Sequence, residues 1–183
     1  MEENPIIKLL LIPFQILFVL LAMVLSLAPV VGVVVLGLVV YNSCIVGKED
    51  IPKDYRAYVS DVLRLNADFQ EKMDKAMTVE REPSNEEEAW RQLEEQSLEG
   101  RELCLDYVRQ LRSLEPPPEL AAIHSRAVSY AEGLPDVYDD LHSAAVVRDY
   151  PGYQRAAARI LELLDSADQL DDDWSRAVEE AIK

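Results

Sequence analysis

The sequence predicts an all-α protein, an N-terminal transmembrane helix followed by an antiparallel four-helix bundle. Three observations carry that prediction. Between positions 6 and 46 the only charged side chain is Lys8. Beyond position 46 the chain is densely charged, and apolar residues recur every three or four positions, the spacing of one helix face. The links between these periodic stretches are short, and each contains proline. Helices joined by short links fold back as antiparallel neighbours. The chain thus divides into a membrane anchor, residues 1–46, and an acidic four-helix bundle domain, residues 47–183, of ordinary single-domain length.

The anchor is longer than one span needs. As a straight helix it would run about 60 Å, twice the bilayer's hydrocarbon thickness of about 30 Å. The preferred reading has an interfacial segment over 4–15, with Lys8 snorkelling to the headgroups and Pro13 marking a bend. A tilted span over about 14–41 follows. The alternative is a hairpin, with spans over 6–24 and 29–46 turned at Ser26–Pro29. The apolar stretch is too long for a cleaved secretory signal. Ala28, Gly32 and Gly37 are small residues suited to packing against another transmembrane helix. Tyr41 stands where a lipobox before Cys44 would have an aliphatic residue, which argues against lipidation.

The first bundle segment places Tyr55, Val59, Val62, Asn66, Phe69, Met73 and Ala76 on one stripe. Asn66 is its polar member, and an asparagine in a seam fixes register at some cost in stability. Residues 78–85 form the first link, ending in Ser84 with Glu87 three residues on, a capping box. The second segment, about 85–114, carries Trp90, Leu93, Ser97, Gly100, Cys104, Tyr107, Leu111 and Leu114. Its waist at Ser97, Gly100 and Cys104 is small. It is expected to receive a large side chain, Phe69 or Trp174, or else to line a small pocket.

Pro116, Pro117 and Pro118 stop that helix, since each lacks an amide hydrogen and restricts its predecessor. Proline is tolerated in a first turn, so PPPEL reads as a rigid corner with a restart near Glu119. His124 then lies beside the next apolar face and is expected to bond a loop carbonyl. Gly133 and Pro135 predict a kink or break in this third helix. Residues 148–153 form the last turn. The final segment carries Tyr153, Ala157, Ile160, Leu164, Ala167, Trp174 and Val178, with Asp171–Asp173 interrupting it.

The chemistry-bearing residues are few. His142 follows Asp139 in a single D-x-x-H, whereas a di-iron bundle needs two E-x-x-H pairs and two further carboxylates. Asp171–Asp173 lacks the order of a calcium loop. Cys44 and Cys104 are too few for a disulfide framework and show no zinc spacing. No phosphate loop or nucleophile elbow is present. Gly100, Cys104, His124 and His142 stand as weak ligand candidates, with no catalytic residue, metal site or cofactor assigned. The chain has 34 acids against 18 bases, net charge −16, and of the charged residues only Glu2, Glu3 and Lys8 precede Lys48. An acidic surface disfavours nucleic acid and anionic headgroups as partners.

The run LRSLEPPPELAAIHSRAVSYAEGL, through Leu111, Leu114, the Pro117–Leu120 corner and His124, resembles a helical domain of uncharacterised bacterial membrane proteins and lipoproteins. The resemblance covers about 110–170 and implies a helical fold with no known chemistry. It also implies an exported domain. The bases Lys48, Lys53 and Arg56 after the span point instead to the cytoplasm. The expectation is a single-pass membrane protein with its bundle outside the cytoplasm. It would be a non-enzymatic interaction module, an accessory or structural subunit of a larger membrane complex. Its partners would be the lipid bilayer and proteins within it. The alternative is a membrane-tethered bundle that senses or carries a small ligand or cation.

Overall fold

A computed structural model describes residues 52–78 and 83–182. The expected anchor, with its span and the small residues Ala28, Gly32 and Gly37, lies outside the described residues. Among the described residues, no helix is long and apolar enough to cross a membrane. The described chain is all-helical. Helix α1 spans Lys53–Met77, α2 Glu86–Ser113, α3 Ala121–Val147 and α4 Tyr150–Ile182, with a 3-10 turn at Pro118–Leu120 before α3.

Each boundary has a local cause. Pro52 opens α1 and its carbonyl accepts from the Arg56 amide at 3.2 Å. The start of α2 is shifted one residue from the predicted box. Asn85 is the cap, its Oδ1 accepting from the Glu88 amide at 2.9 Å. Glu88 reaches back to take the Ser84 amide at 2.7 Å and the Ser84 hydroxyl at 2.6 Å. Asn85 wins because its side chain satisfies an orphan helix donor, leaving Ser84 to bind the returning carboxylate. At the proline corner, Pro117 caps the 3-10 turn, and the Leu120 amide bonds its carbonyl at 2.9 Å. The corner seats Leu120, 0% exposed, against the start of α1 and the end of α4.

The break predicted as one possibility at Gly133 and Pro135 does not occur. Helix α3 runs continuously through Gly133 and Pro135. An interior proline costs about 3 kcal/mol. Leu134, Pro135, Val137, Tyr138 and Leu141 around it are all buried, and their packing outweighs that cost. Helix α4 likewise continues through Asp171–Asp173. There Asp173 is compensated by Arg126 of α3 at 2.6 Å and by Arg176 one turn on. The real break is shorter than the predicted link 148–153. Arg148 adopts the left-handed conformation (φ 56°, ψ 38°), and the Asp149 amide returns to the Ala144 carbonyl at 2.8 Å. This is a Schellman stop built without glycine.

Consecutive helices run antiparallel. Glu87 at the start of α2 meets Arg148 after α3, while Arg112 at the end of α2 meets Glu132 in mid-α3. Arg126 near the start of α3 meets Asp173 late in α4, and Arg159 early in α4 meets Asp140. The core has three parts. Near the start of α1, Tyr55, Tyr58, Val59 and Val62 pack with Leu120, Ile123, Trp174 and Val178. Leu65, Val108, Leu111 and Ala131 form the middle. The far end, around Met73, Trp90, Leu93, Tyr138, Leu141 and Tyr153, is the largest part.

Candidate functional site

His124 lies in the first turn of α3, immediately after the proline corner, and is 8% exposed. It does not bond a loop carbonyl as expected. Its Nδ1 lies 2.8 Å from the Tyr58 hydroxyl of α1. The two rings meet edge to face with centroids 5.8 Å apart, and Tyr58 stacks on Trp174 of α4 at 6.1 Å. One imidazole, one phenol and one indole thus join three helices at one end of the bundle. Beside them the Tyr55 hydroxyl donates to Glu119 Oε2 at 3.1 Å.

Burial sets the electrostatics of this hub. It pushes the Tyr58 phenol well above its ordinary value and the His124 imidazole below its ordinary 6.5. Burial, then the bond to Glu119, pushes Tyr55 up to about 12. The indole Nε1 of Trp174 is buried without a hydrogen-bond partner among the described residues. All these groups are therefore held neutral near pH 7, apart from Glu119, which sits at the edge. A neutral hub of this kind orients helices and changes character on protonation.

The waist of α2 is filled. A Cβ built on Gly100 would stand 2.3 Å from Cε1 of Tyr138. The ring of Tyr138 on α3 therefore occupies the space expected for Phe69 or Trp174. Phe69 stacks instead on Tyr107 at 4.4 Å, and Trp174 stacks on Tyr58. Cys104 is 1% exposed, and burial raises its thiol to about 12, so it is an unreactive packing residue at neutral pH. The Tyr138 hydroxyl is buried with no hydrogen-bond partner among the described residues. Asn66 is satisfied across the α1–α2 seam, accepting from the Tyr107 hydroxyl at 2.8 Å.

The two histidines are not brought together. They sit on one helix 18 residues apart, about 27 Å along its axis. His142 is half-buried on the α2–α3 rim, its Nδ1 3.3 Å from the Glu94 carbonyl. Among the described residues, no group of three or more His, Cys, Asp or Glu side chains is placed to hold a metal ion. At the end opposite His124, a surface groove of about 540 Å³ runs between the start of α2 and the end of α3. Glu87, Glu88, Glu94, Arg91 and Arg148 line it with Val146. Its arginines are paired within it, Arg148 to Glu87 at 3.3 Å and Arg91 to Glu88 at 4.0 Å. Val146 and Val147 are exposed beside it, at 53% and 71%.

Sequence reasoning placed His124 beside a face but did not find its partners. Tyr58 lies one position off the stripe drawn through Tyr55 and Val59. The signal was present, an aromatic flanking an apolar seam, but a helix stripe alone does not say which side a third helix covers. Compared with protein-family models, curated proteins and solved structures, the chain matches none.

Proposed function

We propose that this protein is a membrane-anchored, non-enzymatic helical interaction module, an accessory or structural subunit of a larger bacterial membrane complex. The observation that carries the reading is where α1 begins. The apolar run ends at Val46 and α1 starts at Lys53, so residues 47–52 alone separate lipid from bundle. At no more than about 3.6 Å per residue, that link holds the bundle within roughly 20 Å of the headgroups. The hub end, with α1's start and the proline corner, would face the bilayer. The groove end, with Val146 and Val147 exposed, would face outward toward partners.

The resemblance at the proline corner favours a bundle outside the cytoplasm in this reading. Small residues Ala28, Gly32 and Gly37 would seat the anchor against a partner's transmembrane helix. The strongly acidic surface keeps the bundle off nucleic acid and anionic headgroups. A ligand-carrying bundle is the weaker reading, because Tyr138 takes the room at Gly100.

Purification from membranes in gentle detergent tests this directly. Defined membrane proteins should co-purify with the full chain in fixed ratio. A lone monomer would remove the module reading. A cysteine placed in the 78–85 link, labelled in intact cells by an impermeant reagent, decides the side. Labelling only after lysis would put the bundle in the cytoplasm.

A further inference from the structure

Among the described residues, no ion pair joins helix α1 to the rest of the bundle. Among the described residues its cross-helix hydrogen bonds include Tyr55 to Glu119, Tyr58 with His124, Tyr107 to Asn66, and the Gln96 amide to the Ala76 carbonyl. Its ion pairs, Arg64–Asp61 and Lys72–Asp68, stay within the helix. Ion pairs do cross between α2 and α3 and between α3 and α4. Of the groups that tether α1, His124 is the one whose charge changes between pH 5 and 8.

We propose that the Tyr58–His124–Trp174 hub is a pH-sensitive latch, in which protonation of His124 weakens the docking of α1 on α3 and α4. In this latch the neutral imidazole carries its proton on Nε2, so that Nδ1 accepts from the Tyr58 hydroxyl 2.8 Å away. The cation has no acceptor there, so the phenol must rotate and accept instead. The charge would also be buried, since His124 is 8% exposed and lies edge to face with the Tyr58 ring. Among the described residues no carboxylate forms an ion pair with it. Facing groups from α1 are Tyr55 and Tyr58. From the 3-10 turn comes Glu119, engaged by Tyr55. From α4 comes Asp173, engaged by Arg126 of α3 and by Arg176.

The sign follows from burial, which holds His124 below 6.5 when α1 is docked. Undocking exposes the ring and returns it toward 6.5. The undocked state therefore binds more protons, and docking is full above pH 6.5 and weakens as pH falls below it. The docking equilibrium should shift by up to tenfold per pH unit, until the docked-state value is reached.

The test uses the full chain in detergent micelles. Hydrogen exchange of α1 amides, corrected for intrinsic rates, is compared at pH 7.5 and 5.5 with that of α2 and α3 amides. The α1 amides should lose several-fold protection at the lower pH while those of α2 and α3 hold. His124→Gln, which cannot titrate, should abolish the difference. Equal α1 protection at both values overturns the proposal, as does a pH response retained in His124→Gln. Should that variant fail to fold, the wild-type ring protons of His124 decide, assigned against His142→Asn. A midpoint below 6.5 is expected, and one at or above 6.5 overturns the latch.

Discussion

Where α2 meets α3, Gly100 lets the Tyr138 ring lie against the helix backbone. Where α1 meets α3 and α4, whole aromatic rings span the gap, with centroids 5.8 and 6.1 Å apart. The first contact is a close approach of backbone and ring, bordered by Arg101–Asp139 and Arg112–Glu132. The second is a bridge of Tyr58, His124 and Trp174 with no ion pair crossing among the described residues. The difference teaches that one bundle can combine a seam specified by steric fit with a seam specified by polar tethers. Near neutral pH the steric fit does not titrate, because burial keeps the Tyr138 phenol neutral, whereas a tether ending in an imidazole does.

Alkali should act on both regions and gives the largest effect. Burial raises Tyr55 and Tyr153 to about 12 and Tyr58, Tyr107 and Tyr138 above their ordinary 10. Stability from keeping these phenols neutral is complete below pH 10 and is lost as pH rises through their folded values. Helical circular dichroism should collapse between pH 10 and 12, and retention of the full signal at pH 12 would show these phenols to be less enclosed. Tyr138→Ala should come next, costing about 3–5 kcal/mol by leaving a cavity at the waist. Urea unfolding measures it, and a cost under about 1 kcal/mol would remove the steric-fit side of the contrast. Gly100→Ala should cost about 2 kcal/mol, since overpacking exceeds the gain in helix propensity. A stabilised variant would mean that Tyr138 can move aside.

A further polar tether, between α1 and α2, is probed by Asn66→Ala, Tyr107→Phe and the double variant. The coupling energy should be about 1 kcal/mol, and a value near zero would show that this hydrogen bond does not help to hold α1. Arg126→Ala should have the smallest effect, at most about 1 kcal/mol in thermal unfolding at low salt, because the Arg126 side chain is exposed. A larger loss would show that ion pairs matter more to the α3–α4 seam than its packing does.

Much of the architecture was legible in the sequence. The α1 stripe holds, with Tyr55, Val59, Val62 and Met73 buried. The proline corner is a corner, and Asn66 is a seam polar group. Local rules failed where tertiary packing outbid them. Pro135 reads as a kink or break, yet α3 continues through it among buried neighbours. Arg148 takes a left-handed stop that glycine usually fills, because the returning Asp149 amide satisfies the α3 end. The site was less legible still. His124 could be placed on a helix but not paired, since its partner Tyr58 is 66 residues away in the chain.

The sequence alone determined that the described chain beyond position 52 is helical, that a proline corner follows Leu114, and which residues form the apolar stripe of α1. Those properties depend on spacing, on missing amide hydrogens and on side-chain polarity, all of which act within a few residues. Only the tertiary structure decided that Tyr138, rather than Phe69 or Trp174, fills Gly100, and that Tyr58 meets His124. Partner choice across a bundle depends on helix rotation and axial offset, which follow from packing all four faces at once and not from any one stripe.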